Sequence, residues 1–330
     1  MNRLRPTGFA VSALALASLP AVADVSRTAD GFPNRPITLV VPYGAGGGSD
    51  QLARAWGAAA ERAAGVPFVV VNKPGGGGMA AVPDFMSAPR DGYTVLESID
   101  DAVTNFVSGK LREDPAADWA PICLTQITFS QLYVRADDER FPDFASLLAY
   151  TRAHPGAVTV ANVGNLGSME RVNMAMLERA LDFETRQIAF DNPAERYAAV
   201  LGGQVDVLFE QPGDVSAYLD AGQLKPVLTF LEDRPEAFAD VPTATEAGLD
   251  AEPLLRFRGF WTHPAVAEER RDFLGTVCDE AFRSDAFQAF NAESYMHVID
   301  SYRDADGARA LINTSAETYR EIYKTLGLID

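Results

Sequence analysis

Pro36-Ile37-Thr38-Leu39-Val40-Val41-Pro42-Tyr43-Gly44-Ala45-Gly46-Gly47-Gly48-Ser49-Asp50 is the stretch on which the reading of the fold turns. The five residues between the prolines are aliphatic or β-branched and read as a short buried strand. A glycine-rich turn follows. Asp50 then opens a helix to about Arg62, with Leu52, Ala53, Trp56 and Ala60 recurring on one face. Strand, glycine turn and helix in that order begin a parallel β-α-β unit.

The same grammar continues downstream. Val66 to Val71 is a second strand, closed by Asn72-Lys73-Pro74-Gly75-Gly76-Gly77-Gly78. A helix from Met79 to about Ala88 and a strand from Tyr93 to Glu97 come next. The pattern then restarts. Ile122 to Val134 reads as extended, Phe144 to Ala153 as helix, and Val158 to Val163 as strand before the loop Gly164-Asn165-Leu166-Gly167-Ser168. Met169 to Leu181 and Pro193 to Leu201 read as helices flanking a strand at Phe183 to Phe190. Val205 to Phe209 and Lys225 to Phe230 read as strands, and the remainder as several helices, including Glu268 to Arg283 and Ala308 to Thr325. Two such sets joined without a flexible linker imply an α/β chain of two lobes around a cleft. In open parallel sheets the loops at the strand carboxyl ends face the ligand, and both glycine turns are such loops.

Glycine brings backbone N–H groups close to a ligand because it lacks Cβ and accepts positive φ. The start of the following helix adds partial positive charge. An anion can therefore be held without Lys or Arg, even in a chain of formal net charge −18. That charge argues against a nucleic-acid partner and against docking on anionic lipid. Neither loop ends in Gly-Lys-Ser/Thr. Ser49 stands where a dinucleotide fingerprint needs its last glycine. No Gly-x-Ser-x-Gly elbow or HExxH is present, so the chain reads as a binder without cofactor rather than an enzyme. His154, His263 and His297 are far apart in sequence and no CxxC occurs, which leaves a metal without support. Asp100-Asp101 reads either as a solvated loop or as a pair able to hold a cation. Cys123 and Cys278 read as two buried thiols more readily than as a bridge.

The first residues are an address. Arg3 and Arg5 precede an apolar run from Phe9 to Leu19, and Ala21-Val22-Ala23 fits a cleavage site. Residues 1–23 are expected to be a removed signal peptide, which sends the protein to the periplasm.

The run from Pro33 to Asp50 resembles the start of the tripartite tricarboxylate transporter substrate-binding family, the Bug-type receptors. Val71-Asn72-Lys73-Pro74-Gly75-Gly76-Gly77-Gly78, Asp91-Gly92-Tyr93-Thr94-Val95-Leu96, Asp118-Trp119-Ala120-Pro121-Ile122, Leu201-Gly202-Gly203-Gln204-Val205-Asp206 and Asp240 to Leu249 extend the resemblance in order. It implies a two-lobed, type II-like binding protein of the Venus-flytrap kind. Such a receptor is a monomer that takes a small carboxylate and works with the membrane subunits of a tripartite transporter. A ligand-sensing receptor for a signalling partner and, behind it, a nucleotide-dependent enzyme are the alternatives.

Carried over residue by residue, the resemblance puts the ligand on Tyr43, Gly44, Gly46, Gly47, Gly48 and Ser49, and on Gly75, Gly76, Gly77 and Gly78. The second lobe departs from the family pattern. The loop Gly164 to Ser168 is one residue longer than the family pattern and Arg171 replaces a histidine. Phe190-Asp191-Asn192 and Phe209-Glu210-Gln211 are also altered. Specificity is therefore expected from Ser98, Asp100, Asn165, Gly167, Ser168, Arg171, Phe190, Asp191 and Glu210: Glu170, Arg171 and Asp191 either select the distal end of the ligand, Arg171 clasping a second carboxylate or Glu170 or Asp191 pairing with an ammonium, or Glu170 and Arg171 satisfy each other or face solvent. The lobes are expected to be 24–124 with 228–330, and 125–227. Their crossings are expected near Cys123 to Gln126 and Pro226 to Phe230.

Overall fold

The computed structural model describes residues 25–163 and 167–330. The expected signal peptide and Asn165 lie outside them. The first sheet contains β1 (Ile37–Val41), β2 (Phe68–Asn72), β3 (Thr94–Ile99) and β4 (Ala120–Thr128). The second contains β5 (Ser130–Arg135), β6 (Thr159–Asn162), β7 (Arg186–Ala189), β8 (Val207–Glu210) and β9 (Leu224–Phe230). The chain then returns β10 (Arg256–Thr262) to the first sheet. The orders are β2-β1-β3-β10-β4 and β7-β6-β8-β5-β9. In each sheet four strands point the same way and one lies antiparallel among them, β10 between β3 and β4 in the first and β5 between β8 and β9 in the second.

Among the described residues, eleven helices cover the sheets: α1 (Gly48–Ala64), α2 (Val82–Ser87), α3 (Asp101–Val107), α4 (Phe144–Ala153), α5 (Met169–Leu181), α6 (Pro193–Leu201), α7 (Ser216–Asp220), α8 (Ala244–Ala247), α9 (Glu268–Arg283), α10 (Asp285–Glu293) and α11 (Ala305–Leu326). None is long and apolar enough to cross a membrane. Helix α1 buries Leu52, Ala53, Trp56 and Ala60 on the first sheet. Trp56 stacks on Phe260 of β10 at 3.9 Å and meets Phe68 of β2 edge-on, contacts worth about 0.5–1.5 kcal/mol each beyond burial. Gly65 ends α1 in the left-handed region at φ 67°. That packing fixes where the first turn of α1, and hence the glycine loop, stands.

Three expectations change. The boundaries at 124/125 and 227/228 fall inside β4 and β9, each of which belongs to one sheet along its length. The chain changes sheet at Phe129 and again between Phe230 and Arg256. A strand cannot be divided at a hinge without breaking its ladder, so the crossings fall in the connections. The segment after β9 also holds a strand, β10, that was not among the elements expected there. Finally, Cys123 of β4 and Cys278 of α9 form a disulfide. Helix α9 packs on the first sheet and brings the Cα atoms to 6.6 Å across 155 residues of sequence.

Closing so long a loop restricts the unfolded chain. Replacing both cysteines by alanine is expected to lower stability by about 2–4 kcal/mol, read as a shift of the urea midpoint with unchanged far-ultraviolet dichroism. A double variant with an unshifted midpoint would show that the bridge contributes nothing.

Candidate functional site

The carboxyl ends of β1 and β3 face those of β6 and β8 across a cleft of about 370 Å³. Lobe one supplies Tyr43, Gly47, Gly48, Ser49 and Ile99. Lobe two supplies Asp191, Pro193, Arg196, Glu210, Gln211 and Asp214. Arg256 and Arg258 of β10 stand between them. The cleft is shut: a β-carbon on Gly44 or Gly47 would stand 2.9 or 2.7 Å from the ring of Pro193. One on Gly48 would stand 2.2 Å from Asp214 Oδ2 and 2.4 Å from Arg258 Nη2. Gln51 Nε2 also reaches the Asp214 carbonyl at 3.5 Å.

The first N–H groups of a helix have no partner inside it, and among the described residues no acceptor stands at hydrogen-bond distance from those of Gly48 and Ser49. Gly46 behaves differently from the expectation. It is exposed, and its N–H donates to Asp50 Oδ2 at 2.9 Å, so it caps the helix start instead of facing the cleft. In the second glycine loop Gly75, Gly76, Gly77 and Gly78 all have positive φ, a run only glycine adopts without strain. Gly77 and Gly78 line a smaller cavity of about 250 Å³ with Tyr43, Ser98 and Asn105. Tyr43 borders both cavities. Gly75 and Gly76 line neither.

The second lobe differs further. Gly167 accepts from the Tyr323 hydroxyl, and Ser168 Oγ donates to the Val163 carbonyl at 3.1 Å. Both are occupied in shaping the start of α5. Phe190 packs into the core of its own lobe. Glu170 neither pairs with Arg171 nor meets solvent; it is buried and bound to Arg256. Arg171 is half-buried, and burial holds its guanidinium below the usual range despite Glu170.

Asp100 and Asp101 are 0 % and 1 % exposed, which overturns the solvated-loop reading. The start of α3 is covered by α11, from which the Tyr319 hydroxyl reaches Asp100 Oδ2 at 3.5 Å. Asp100 also lies 3.3 Å from Arg256 Nε. Burial raises Asp100 to about 6, and Arg256 keeps it from going higher. Burial likewise pushes Asp101 well above the carboxylate range. Arg258 Nη1 reaches Gln126 Oε1 and Asp214 Oδ1, each at 3.1 Å, and its Nη2 reaches Gln211 Oε1 at 3.0 Å. Arg196 is bound to Glu210, whose carboxyl burial raises to about 6 against the pull of Arg196.

Sequence reading missed Arg196, Arg256, Arg258, Glu97, Gln211 and Asp214. A signal for the two β10 arginines was present. In Arg256-Phe257-Arg258-Gly259-Phe260-Trp261 they alternate with aromatics at the strand period, and a buried arginine needs a carboxylate.

Comparison with known proteins agrees with this architecture. The profile of the tripartite tricarboxylate transporter family receptor matches residues 52–328. A Cupriavidus necator protein named for the gbd 5′ region, UPF0065, is 30% identical over 291 residues, 87% of this chain and 86% of the relative. Among solved structures, MatC from Rhodopseudomonas palustris with bound malate superposes with a TM-score of 0.79 at 23% identity, covering 88% of this chain and 99% of its own. The periplasmic binding protein BugD gives 0.81 at 22% identity, covering 90% and 99%.

Proposed function

Because the chain belongs to the tripartite tricarboxylate transporter receptor family, we propose that it works as a periplasmic receptor that closes its lobes on a small organic carboxylate and presents the filled form to the membrane subunits of a tripartite transporter. The observation that carries this reading is the pair of N–H groups at Gly48 and Ser49, without an acceptor among the described residues, in a shut cleft that Arg196 also lines. A helix start with an arginine opposite is a site for a carboxylate.

Lobe one comprises 25–128 with 256–330, and lobe two begins at Ser130. The passages at Phe129 and within 231–255 would serve as hinges. Residues 1–23 would direct export, and the Cys123–Cys278 bridge suits an oxidising compartment. In this reading Tyr43, Gly47, Gly48 and Ser49 grip the shared carboxylate, while Asp191, Glu210 and the charged residues around them read the rest.

Mass spectrometry of the ligand released from purified protein, followed by calorimetry with that compound, tests the reading. A released organic acid that rebinds supports it. Absence of any acid, together with an unmoved melting temperature across mono-, di- and tricarboxylates, defeats it. Gly48→Val is expected to weaken binding more than a hundredfold while each lobe stays folded, because its side chain would occupy the space of Asp214 and Arg258 on closure. Unchanged affinity in calorimetry would remove Gly48 from the grip.

A further inference from the structure

One short turn of lobe two is clasped by lobe one. After β8 the chain makes a single 3-10 turn, Pro212–Val215, at the cleft end of that strand. On one side of it, the atoms nearest to a β-carbon built on Gly213 are the carbonyl oxygen and Cβ of Ser294 and the end of the Met296 side chain. On the other side stands the start of α1. Gln51 Nε2 reaches the Asp214 carbonyl at 3.5 Å. The two atoms nearest to a β-carbon built on Gly48 are the carboxylate oxygens of Asp214. Both approaches depend on a glycine having no side chain.

The Asp214 and Arg258 side chains are buried, at 5% and 3% exposure, and they meet across the lobes. Arg258 Nη1 donates to Asp214 Oδ1 at 3.1 Å, and Nη2 donates to Oδ2. This is the two-pronged geometry in which arginine takes a carboxylate. Gln126 accepts from Nη1 and Gln211 from Nη2, so each of these nitrogens, with its two hydrogens, already serves two acceptors. The fork has room for one carboxylate, and Asp214 is that carboxylate. Beside the start of α1, Asp214 thus presents the group that an incoming organic acid would present. Two ionised carboxylates in one buried site repel, so one must withdraw or take up a proton.

We propose, on the receptor reading above, that Asp214 is a tethered stand-in for the ligand carboxylate: it latches the two lobes through Arg258 and competes with an incoming acid for Arg258 and the start of α1. The contacts of the latch belong to the chain itself, so the lobes can shut on Asp214 alone. An acid enters when the latch opens, and the lobes close again with its carboxylate in the place of Asp214. Its apparent affinity is lowered by the fraction of molecules held latched. Arg256 also crosses the lobes, to Glu170, but that pair stands away from the glycine loop and does not compete for it.

Two variants of the purified protein decide, compared with wild type by small-angle scattering and by calorimetry with malate, succinate, adipate and citrate. Asp214→Asn keeps the shape and removes the charge. Without added acid it is expected to show a larger radius of gyration than wild type, and to bind at least one of the acids tenfold or more tightly. Gly213→Ala opens the lobes by another route, because its methyl group would press on Ser294. It is expected to show a larger radius too, but to bind every acid tenfold or more weakly, because its lobes cannot shut on the ligand. Opening alone therefore does not raise affinity; removing the competing carboxylate does. Weaker binding by Asp214→Asn would place the Asp214–Arg258 pair in the acid-bound form and overturn the competition. An unchanged radius in that variant would overturn the latch. If no acid binds any of the three proteins, the receptor reading and the competition fall together, while the radii still decide whether Asp214 holds the lobes.

Discussion

Glu97→Gln is expected to stabilise the empty protein by about 3 kcal/mol at pH 7, against the usual direction of a buried substitution. Glutamine keeps the shape and cannot ionise. The wild-type carboxyl is buried, and burial raises it from 4.5 to about 8 against the pull of the Ser49 hydroxyl and the more distant Arg258 and Arg256. An acid whose folded value lies above its unfolded value binds its proton more tightly in the folded state. Its contribution to stability is therefore present in full below about 4.5 and is lost as pH rises through about 8. The gap between variant and wild type should be small at pH 4.5, widen across that window and level off above it. Urea titrations at pH 5, 7 and 8.5 measure this. A constant gap, or a less stable variant at every pH, would show that Glu97 is satisfied by a partner.

Arg256→Met should act in the opposite sense and cost about 3–5 kcal/mol at pH 7. Methionine fills much of the space, but Asp100 and Glu170 are then buried without their shared cation. The arginine also joins the start of α3 in one lobe to the start of α5 in the other, so the shut form loses a cross-lobe contact. Asp100 is already raised to about 6 with Arg256 present, and without it the carboxyl should rise further. A raised folded value removes stability as pH rises, so the deficit of the variant should be smallest near pH 5 and grow towards pH 8. Adding Asp100→Asn to Arg256→Met is expected to recover part of the loss. A deficit independent of pH and unrescued by the second change would assign Arg256 a packing role alone.

What was legible in the sequence follows from how far each interaction reaches along the chain. Helices α4, α5, α6 and α9 run over the residues expected of them because their signals are local. Asp143 and Asn192 accept from the first-turn N–H groups of α4 and α6, and apolar spacing sets each buried face. The Gly75–Gly78 loop was legible for the same reason, since positive φ at four successive residues is a property of the backbone there. Even the first two strands were found to within two residues at either end.

Tertiary structure alone decided the rest. Strand β10 was missed because it lies among partners from more than a hundred residues earlier in the chain, β3 and β4. Its two arginines are sensible only once Asp100, Glu170, Gln211 and Asp214 surround them. The Asp100-Asp101 pair looked solvated because nothing nearby in sequence covers it; α11, two hundred residues on, does. Cys123 and Cys278 likewise meet only after α9 docks on the first sheet. The sequence by itself therefore determined the lobes' β-α units and the glycine loops that can approach an anion, because caps, periodicity and backbone freedom act within a few residues. Which buried charges face one another, and so what kind of ligand the cleft can satisfy, was decided only by folding, because Coulomb and desolvation energies depend on distance in space and not on separation along the chain.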